Sequence, residues 1–293
     1  MKIQRYCGRD FSNSDLDLIR QLIAEDPKRT RAQLSRLTCQ RLNWYKADGG
    51  LKDMSARVAM LRMQDDGLIQ LPPPRYKKKF AIKVSNTANT DPCPVLSSPV
   101  HELPSLRFVP VVQSKTSQLW NEYIHRYHYI GYSPLPGAQL RYFIKSGEQI
   151  VALLSFSASA WQTAPRDKFI GWTHKQRKKN LHLIVNNSRF LILPWVQSKN
   201  LASKILSMAA RRLQDDWEKR YKYRPVLLET FVEADRFRAT SYKAANWRLV
   251  GTTKGRGKLG PAGKQSVPFK NIWLYPLDKN YKNILKGQQD TPN

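Results

Sequence analysis

Hydrophobic positions near the start of the chain recur at helical spacing. Ser12 and Asp15 form a capping signal, and Leu16, Ile19, Leu22 and Ile23 then fall on one face. Pro27 ends that run. Leu34, Leu37 and Leu42 mark a second helix that stops near Asn43 and Trp44, and Gly49-Gly50 breaks the chain. A third helix is predicted from about Lys52 to Asp65, with Met54, Val58 and Leu61 at helical spacing. Asp66-Gly67-Leu68-Ile69 reads as a helix stop feeding a short strand, and Leu71 followed by Pro72–Pro74 closes the unit. Three short helices and a strand predict a winged helix-turn-helix-like domain in residues 1–75. Its third helix would enter a major groove, with Lys52, Arg57 and Arg62 on or near its polar side. A generic three-helix bundle with a solvated basic face is the alternative.

The periodicity lapses in residues 76–104, where Lys77-Lys78-Lys79 leads into a stretch rich in Ser, Thr, Asn and Pro. Such a composition offers little to bury and predicts a basic linker. Alternating patterns return in residues 105–278, read as one α/β domain. Helices are expected at 117–129, 201–221 and 239–246. Strands are expected at 140–144, 150–156, 181–193, 225–231 and 247–252. The long helix has the clearest stripe: Leu201, Ile205, Met208, Leu213 and Trp217. Residues 279–293 are polar and are expected to fray.

Charge narrows the function. The chain carries 50 Lys plus Arg against 22 Asp plus Glu, a formal net charge of +28. That excess fits a polyanionic partner, because each neutralised phosphate releases condensed counterions. No stretch has the apolar length of a membrane span, and Met1-Lys2-Ile3-Gln4-Arg5 is not followed by a signal core. Cys7, Cys39 and Cys93 are odd in number and lack metal spacing, so they read as reduced thiols in a cytoplasm. The partner expected is DNA, single-stranded or duplex with unpaired segments, rather than a membrane.

Four blocks in order carry a family resemblance: "RYHYIGY…GAQLRYFI" (126–144), "SASAWQTAPRDKFIGW" (157–172), "NNSRFLILPWVQSKNLASKIL" (186–206) and "LLETFVEADRFRATSYKAANWRLVGTTKGRGK" (227–258). Together they resemble the DruA family, named for a component of the Druantia anti-phage system and long a domain of unknown function. The resemblance implies bacteria, DNA, a cytoplasmic location and partners among defence or transposition proteins. Ala239 departs from it, standing where the stretch before Tyr242 is expected to hold Gly. The order of elements over 181–252 also resembles the core of the acetyltransferase-like fold. A cofactor pyrophosphate on bare helix-start amides favours Gly for close approach, yet no glycine lies between Gly171 and Gly251. The fold is therefore expected without the cofactor, with an acyltransferase as an alternative.

Candidate chemistry follows by residue type. Glu229, Glu233 and Asp235 do not form an obvious Mg²⁺ cluster, and the His125-x-x-His128 pair lacks completing zinc ligands. No metal and no cofactor are expected. A tyrosine hydroxyl can attack a phosphodiester, given cations for the developing charge and a proton acceptor. The catalytic set proposed from sequence is Tyr242 as nucleophile with Glu229, Arg189, Asn187 and His128, alongside the alternative that Tyr242 is a packed aromatic. Nucleic-acid contacts are expected from Lys52, Arg57, Arg62, Arg141, Trp161, Arg166, Trp172, Lys175, Arg177, Asn246 and Arg256. Aromatics among the cations of 161–179 suit stacked bases on a charged groove; a tryptophan core beside a basic loop is the alternative. The reaction expected is metal-free, sequence-selective strand cleavage or transfer. The rival is a non-catalytic DNA-recognition subunit that recruits defence enzymes.

Overall fold

The computed structural model describes residues 4–74, 84–135, 137–255 and 267–288. The chain divides into two units, 1–82 and 83–293.

The smaller unit opens with a hairpin, β1 (Gln4–Tyr6) and β2 (Arg9–Phe11), turned by Cys7 and Gly8 at positive φ. Three helices follow. In α1 (Asn13–Ala24) Ser12 and Asp15 form the expected capping box, and Thr30 and Gln33 form another on α2 (Arg31–Arg41). The third, α3 (Asp53–Asp65), buries Ala56, Ala59, Met60 and Met63. The expected stripe is not the buried one: Met54 and Val58 are exposed and Leu61 is only partly buried. Two small alanines make the true buried face less conspicuous than the larger side chains beside it. Gly67 in the left-handed region stops α3, with the Leu68 amide donating to the Met63 carbonyl. Residues 66–74 hold no strand, so the short strand expected at Leu68-Ile69 is absent, and the unit's hairpin precedes α1 instead. The unit is three helices plus a hairpin around Phe11, Ile19, Leu34 and Met60.

The larger unit is mixed α/β. Its strands are β3 (Leu106–Pro110), β4 (Gln139–Ser146), β5 (Gln149–Ala158), β6 (Ile184–Ile192), β7 (Leu227–Glu233), β8 (Arg248–Thr252) and β9 (Lys270–Pro276). They form one seven-stranded sheet in the order β3-β4-β5-β6-β7-β9-β8. Every neighbouring pair is antiparallel except β6 and β7, which α7 (Leu201–Tyr221) joins as a parallel pair. That pair holds register only from Ile184–Leu227 to Asn186–Glu229. The apolar stripe of α7, from Leu201 through Ile205 and Leu213 to Trp217, is buried as its spacing predicted.

Side-chain alternation divides the packing. Ile184 and Leu227 join one hydrophobic cluster with Ile170 of α5 (Ala164–Ile170) and Leu285 of α9 (Tyr281–Lys286). Val185 and Leu228 join the larger cluster, which includes the buried stripe of α7. Asn180, at the end of α6 (His174–Asn180), donates to the Leu285 carbonyl at 2.9 Å. The tail expected to fray from residue 279 thus contributes a packed helix, with Tyr281 and Leu285 buried.

Residues 84–104 also lie against this unit rather than behaving as a plain linker. The buried Glu122 of α4 (Ser114–Tyr127) accepts from the Thr87 amide, the Thr87 hydroxyl and the Thr90 hydroxyl. Tyr127 donates to the Thr90 carbonyl at 2.7 Å. Leu96 exchanges backbone hydrogen bonds with Trp195 and Gln197. Composition alone cannot reveal this attachment, because polar bonds rather than apolar burial supply much of it. Lys77–Lys79 lie outside the described residues.

Candidate functional site

The strand β6 decides where the proposed catalytic residues go. Phe156 pairs with Asn187, while Ser155 pairs with Arg189, so Ser188 is an extra residue in a β-bulge. In a regular strand Asn187 and Arg189 would share a face. The bulge separates them. Leu154, paired with Tyr142 and Phe190, lies on the α7 side, where Tyr142 donates to Asp216 at 2.9 Å. Ser155, paired with Arg141 and Arg189, lies on the α4 side, where Arg141 donates to Ser117 at 2.8 Å and Asn121 at 3.0 Å.

Tyr242 sits in α8 (Thr240–Ala244) with its hydroxyl buried. It donates to Asn187 Oδ1 at 2.6 Å. The Asn187 amide nitrogen in turn donates to the Ser155 carbonyl at 3.0 Å, and Thr230 donates to the Asn187 carbonyl at 3.0 Å. This network lies beyond the point where β6 and β7 stop pairing. Burial pushes the Tyr242 hydroxyl well above the usual tyrosine range, with Thr230 opposing the shift. A nucleophile needs an accessible oxygen that loses its proton readily, and Tyr242 has neither property. Its place is that of a packed aromatic with a satisfied hydroxyl. Ala239, just before α8, adopts φ 53°, the left-handed conformation that explains why a glycine is expected there. Asn246 is not beside Tyr242 on the helix: it lies after α8, also left-handed, in an exposed turn closed by the Trp247 amide on the Tyr242 carbonyl.

Glu229 is on the other side of the sheet from Tyr242. It is fully buried, accepts from Arg166 Nη1 at 2.8 Å and from the Ala160 amide at 2.8 Å, and is raised in pKa by burial against the opposing pull of Arg166. Asp167 pairs with Arg166 at 2.9 Å and with Arg177 at 2.8 Å, and accepts from the Trp172 indole at 3.1 Å. The stretch around Arg177, expected to line a charged groove for bases, is the capped helix α6, and an acid for Arg177 is supplied by Asp167 of α5. Arg166, Arg177 and Trp172 therefore serve the interior, a correction to their reading as nucleic-acid contacts. Trp161 is exposed, with the Arg177 guanidinium 5.9 Å from its ring centre, and Lys175 is exposed.

Arg189 and Arg141 come together elsewhere. Both line a cavity of about 250 Å³ with Tyr132, Ser133, Gln139 and Ser155. Arg189 donates to the Ser188 carbonyl at 2.8 Å and to Ser133 Oγ at 3.3 Å. Neither arginine has a carboxylate partner within ion-pair distance among the described residues. Burial lowers the pKa of both. His128 lies near this wall; burial, then the charges of Arg189 and Arg236, bring its pKa down to about 4, so it is neutral near pH 7. The structure thus brings together Arg141, Arg189 and the neighbourhood of His128, pairs Asn187 with Tyr242 elsewhere, and isolates Glu229. Sequence reasoning missed Tyr132 and Ser133, although both belong to the tyrosine-rich block around "RYHYIGY".

In the smaller unit, Lys52 precedes α3, Arg57 pairs with Asp53 at 3.5 Å, and Arg62 is exposed. Arg256 lies outside the described residues. Among the described residues no group of His, Cys, Asp and Glu could hold a metal ion, and no helix is long and apolar enough to cross a membrane.

Likeness to solved structures is weak in sequence and falls among acetyltransferases. A chimera of the Vibrio cholerae spermidine N-acetyltransferase SpeG with hSSAT has a TM-score of 0.40 and 10% identity over 61% of this chain and 98% of that one. A ribosomal-protein alanine N-acetyltransferase from Escherichia coli gives 0.36 and 11% over 59% and 95%. A microcin self-immunity acetyltransferase, bound to acetyl-CoA and AMP, gives 0.31 and 11% over 47% and 61%. The chain thus spans about three fifths of that last protein. No curated protein matches the chain. The family model for Druantia protein DruA matches residues 62–264, well over half of the sequence, and the chain belongs to the DruA family.

Proposed function

We propose that this DruA-family protein recognises DNA, with a backbone phosphate held against Arg141 and Arg189. The observation that carries the reading is the cavity of about 250 Å³ walled by two arginines that lack a carboxylate partner among the described residues. A protein spends little stability on an uncompensated, partly buried cation unless an anion completes it. Serines and Gln139 supply further polar groups for phosphate oxygens, and the net charge of +28 brings a polyanion to the surface. The family's link to an anti-phage system fits a DNA ligand. The burial of Tyr242 favours recognition over tyrosine-dependent cleavage, with other defence proteins as partners.

Fluorescence anisotropy with labelled single-stranded and duplex oligonucleotides tests this. Between about 50 and 200 mM salt, log K should fall linearly against log salt, with a slope near −0.9 per phosphate on duplex and −0.7 on single strands. The double variant Arg141→Gln, Arg189→Gln should bind at least about tenfold more weakly with a shallower slope. Salt-independent affinity, or a folded double variant that binds like wild type, overturns the proposal.

Acyl transfer is the second reading. The parting of β6 and β7 beyond Asn186 and Glu229 favours it, since open α/β sheets take ligands at the carboxyl ends of strands. The Asn187, Thr230 and Tyr242 network occupies part of that opening, and the Gln197 amide before α7 is engaged by Leu96. A rise in melting temperature with acetyl-CoA, absent with DNA, would favour acyl transfer.

A further inference from the structure

Two loops of the larger unit present an aromatic patch next to Arg189. Tyr129 and Ile130 follow α4, and Arg236 and Phe237 precede α8. Tyr129 is 36% exposed, Phe237 40% and Ile130 46%. The two aromatic rings meet edge to face, 5.0 Å apart at 60°. The Arg236 guanidinium lies 4.8 Å from the Tyr129 ring centre and 5.6 Å from that of Phe237. The His128 ring stacks on Tyr129 at 4.9 Å and 25°.

We propose that Tyr129, Arg236 and Phe237 form a stacking platform for an unpaired nucleobase of a DNA strand whose phosphate lies in the Arg141–Arg189 cavity. The inference rests on the phosphate reading above and assigns the strand type. Exposed rings interleaved with a guanidinium plane are the surface on which splayed bases stack, and any base can use it because every base has a π-face. Bases of an intact duplex are already stacked and do not reach it.

The placement fits one nucleotide. Tyr129 and the cavity residue Tyr132 are three residues apart, a reach of at most about 10 Å. Arg189 bonds Ser133 on the same loop, and its charge also acts at Tyr129. Arg189 thus ties the phosphate site to the loop that carries Tyr129. Arg236 adds a second positive charge at Tyr129; Glu233 also acts there as a negative one. Of the aromatics expected to stack bases, Trp172 is buried and bonded to Asp167, whereas Trp161 remains exposed.

The test compares wild type with Tyr129→Ala, Phe237→Ala and the double variant on three probes: a single strand, its duplex, and a single strand of equal length with abasic sites. Circular dichroism checks that each variant is folded. The double variant should lose about five- to 150-fold in affinity for the intact single strand, the range that base–aromatic stacking spans. It should lose less than about twofold on the duplex and on the abasic strand, and Phe237→Trp should retain single-strand affinity. Photocrosslinking of an iodouracil single strand should label the peptide of Tyr129 or that of Phe237. Unchanged single-strand affinity, or equal losses on all three probes, overturns the platform while leaving the phosphate site standing. Failure of wild type to bind either DNA overturns both.

Discussion

Two pairs among the buried and partly buried arginines of the larger unit contrast sharply. Arg166 and Arg177 meet Glu229 and Asp167 at 2.8–2.9 Å in a closed ionic cluster roofed by Trp172. Arg141 and Arg189 donate to hydroxyl, amide and carbonyl oxygens, Arg141 also lies 5.4 Å from the Trp120 ring centre, and both open onto a cavity. Both pairs look alike in sequence, as basic residues in polar blocks. What differs is where the countercharge comes from. For the first pair it is already in the fold, so the charges fix α5 against β7. For the second no carboxylate is in reach among the described residues, and on the proposed reading a DNA phosphate supplies it. A buried arginine is informative about function only after its carboxylates have been counted.

Three substitutions sharpen that contrast, and their effects on stability should descend in order. Glu229→Ala leaves Arg166 buried without its main partner and should cost about 3–5 kcal/mol. Chemical denaturation should read this as a lower midpoint; a loss under about 1 kcal/mol would mean that the closed cluster is not structural. Tyr242→Phe removes one donor and strands Asn187 Oδ1 in the interior, for about 1–3 kcal/mol. DNA binding should persist in that variant, and denaturing gels should show no covalent adduct with either protein. An adduct formed by wild type and lost in Tyr242→Phe would restore the tyrosine to catalysis. Arg189→Gln should change stability by less than about 1 kcal/mol, because its lost hydrogen bonds are offset by release of an uncompensated charge. Its affinity for DNA should still fall about tenfold. If Arg189→Gln were as destabilising as Glu229→Ala, the division between the two pairs would collapse.

The sequence was most legible where one short-range rule governed the outcome. Ser12 with Asp15 and the stripe from Leu201 to Trp217 predicted α1 and α7 because capping and period act within one helix. The basic run of α6 was misread because its two anchors, Arg177 and Asn180, look no different from the exposed lysines between them. The hairpin before α1 and strands β3 and β9 went unread, since each is short or depends on partners far along the chain. For the site, Arg189, Asn187, Glu229 and Tyr242 were all recognised as unusual polar residues near strands. Their assembly into one cluster failed because a single extra residue, Ser188, reverses the parity of β6, and because Glu229 alternates to the opposite face. Neither fact has a signature in residue type. Tyr129 and Phe237 were missed for another reason: an exposed aromatic cannot be told from a core one until the loops that carry it are placed.

The attachment of residues 84–104 has a thermal consequence. Thr90 is their one buried residue, and the segment is held by hydroxyls and an amide on Glu122, the Asp91–Arg126 ion pair and backbone bonds at Leu96, with Leu96, Val100 and Leu103 only partly buried against the core. Release of such a segment uncovers three partly buried apolar side chains against the many fully buried in the sheet, so it carries a smaller heat-capacity change than unfolding of the sheet. Its opening free energy should therefore curve less with temperature than that of the whole unit. Amide exchange would see the segment as a separate cooperative unit that opens well below the global transition.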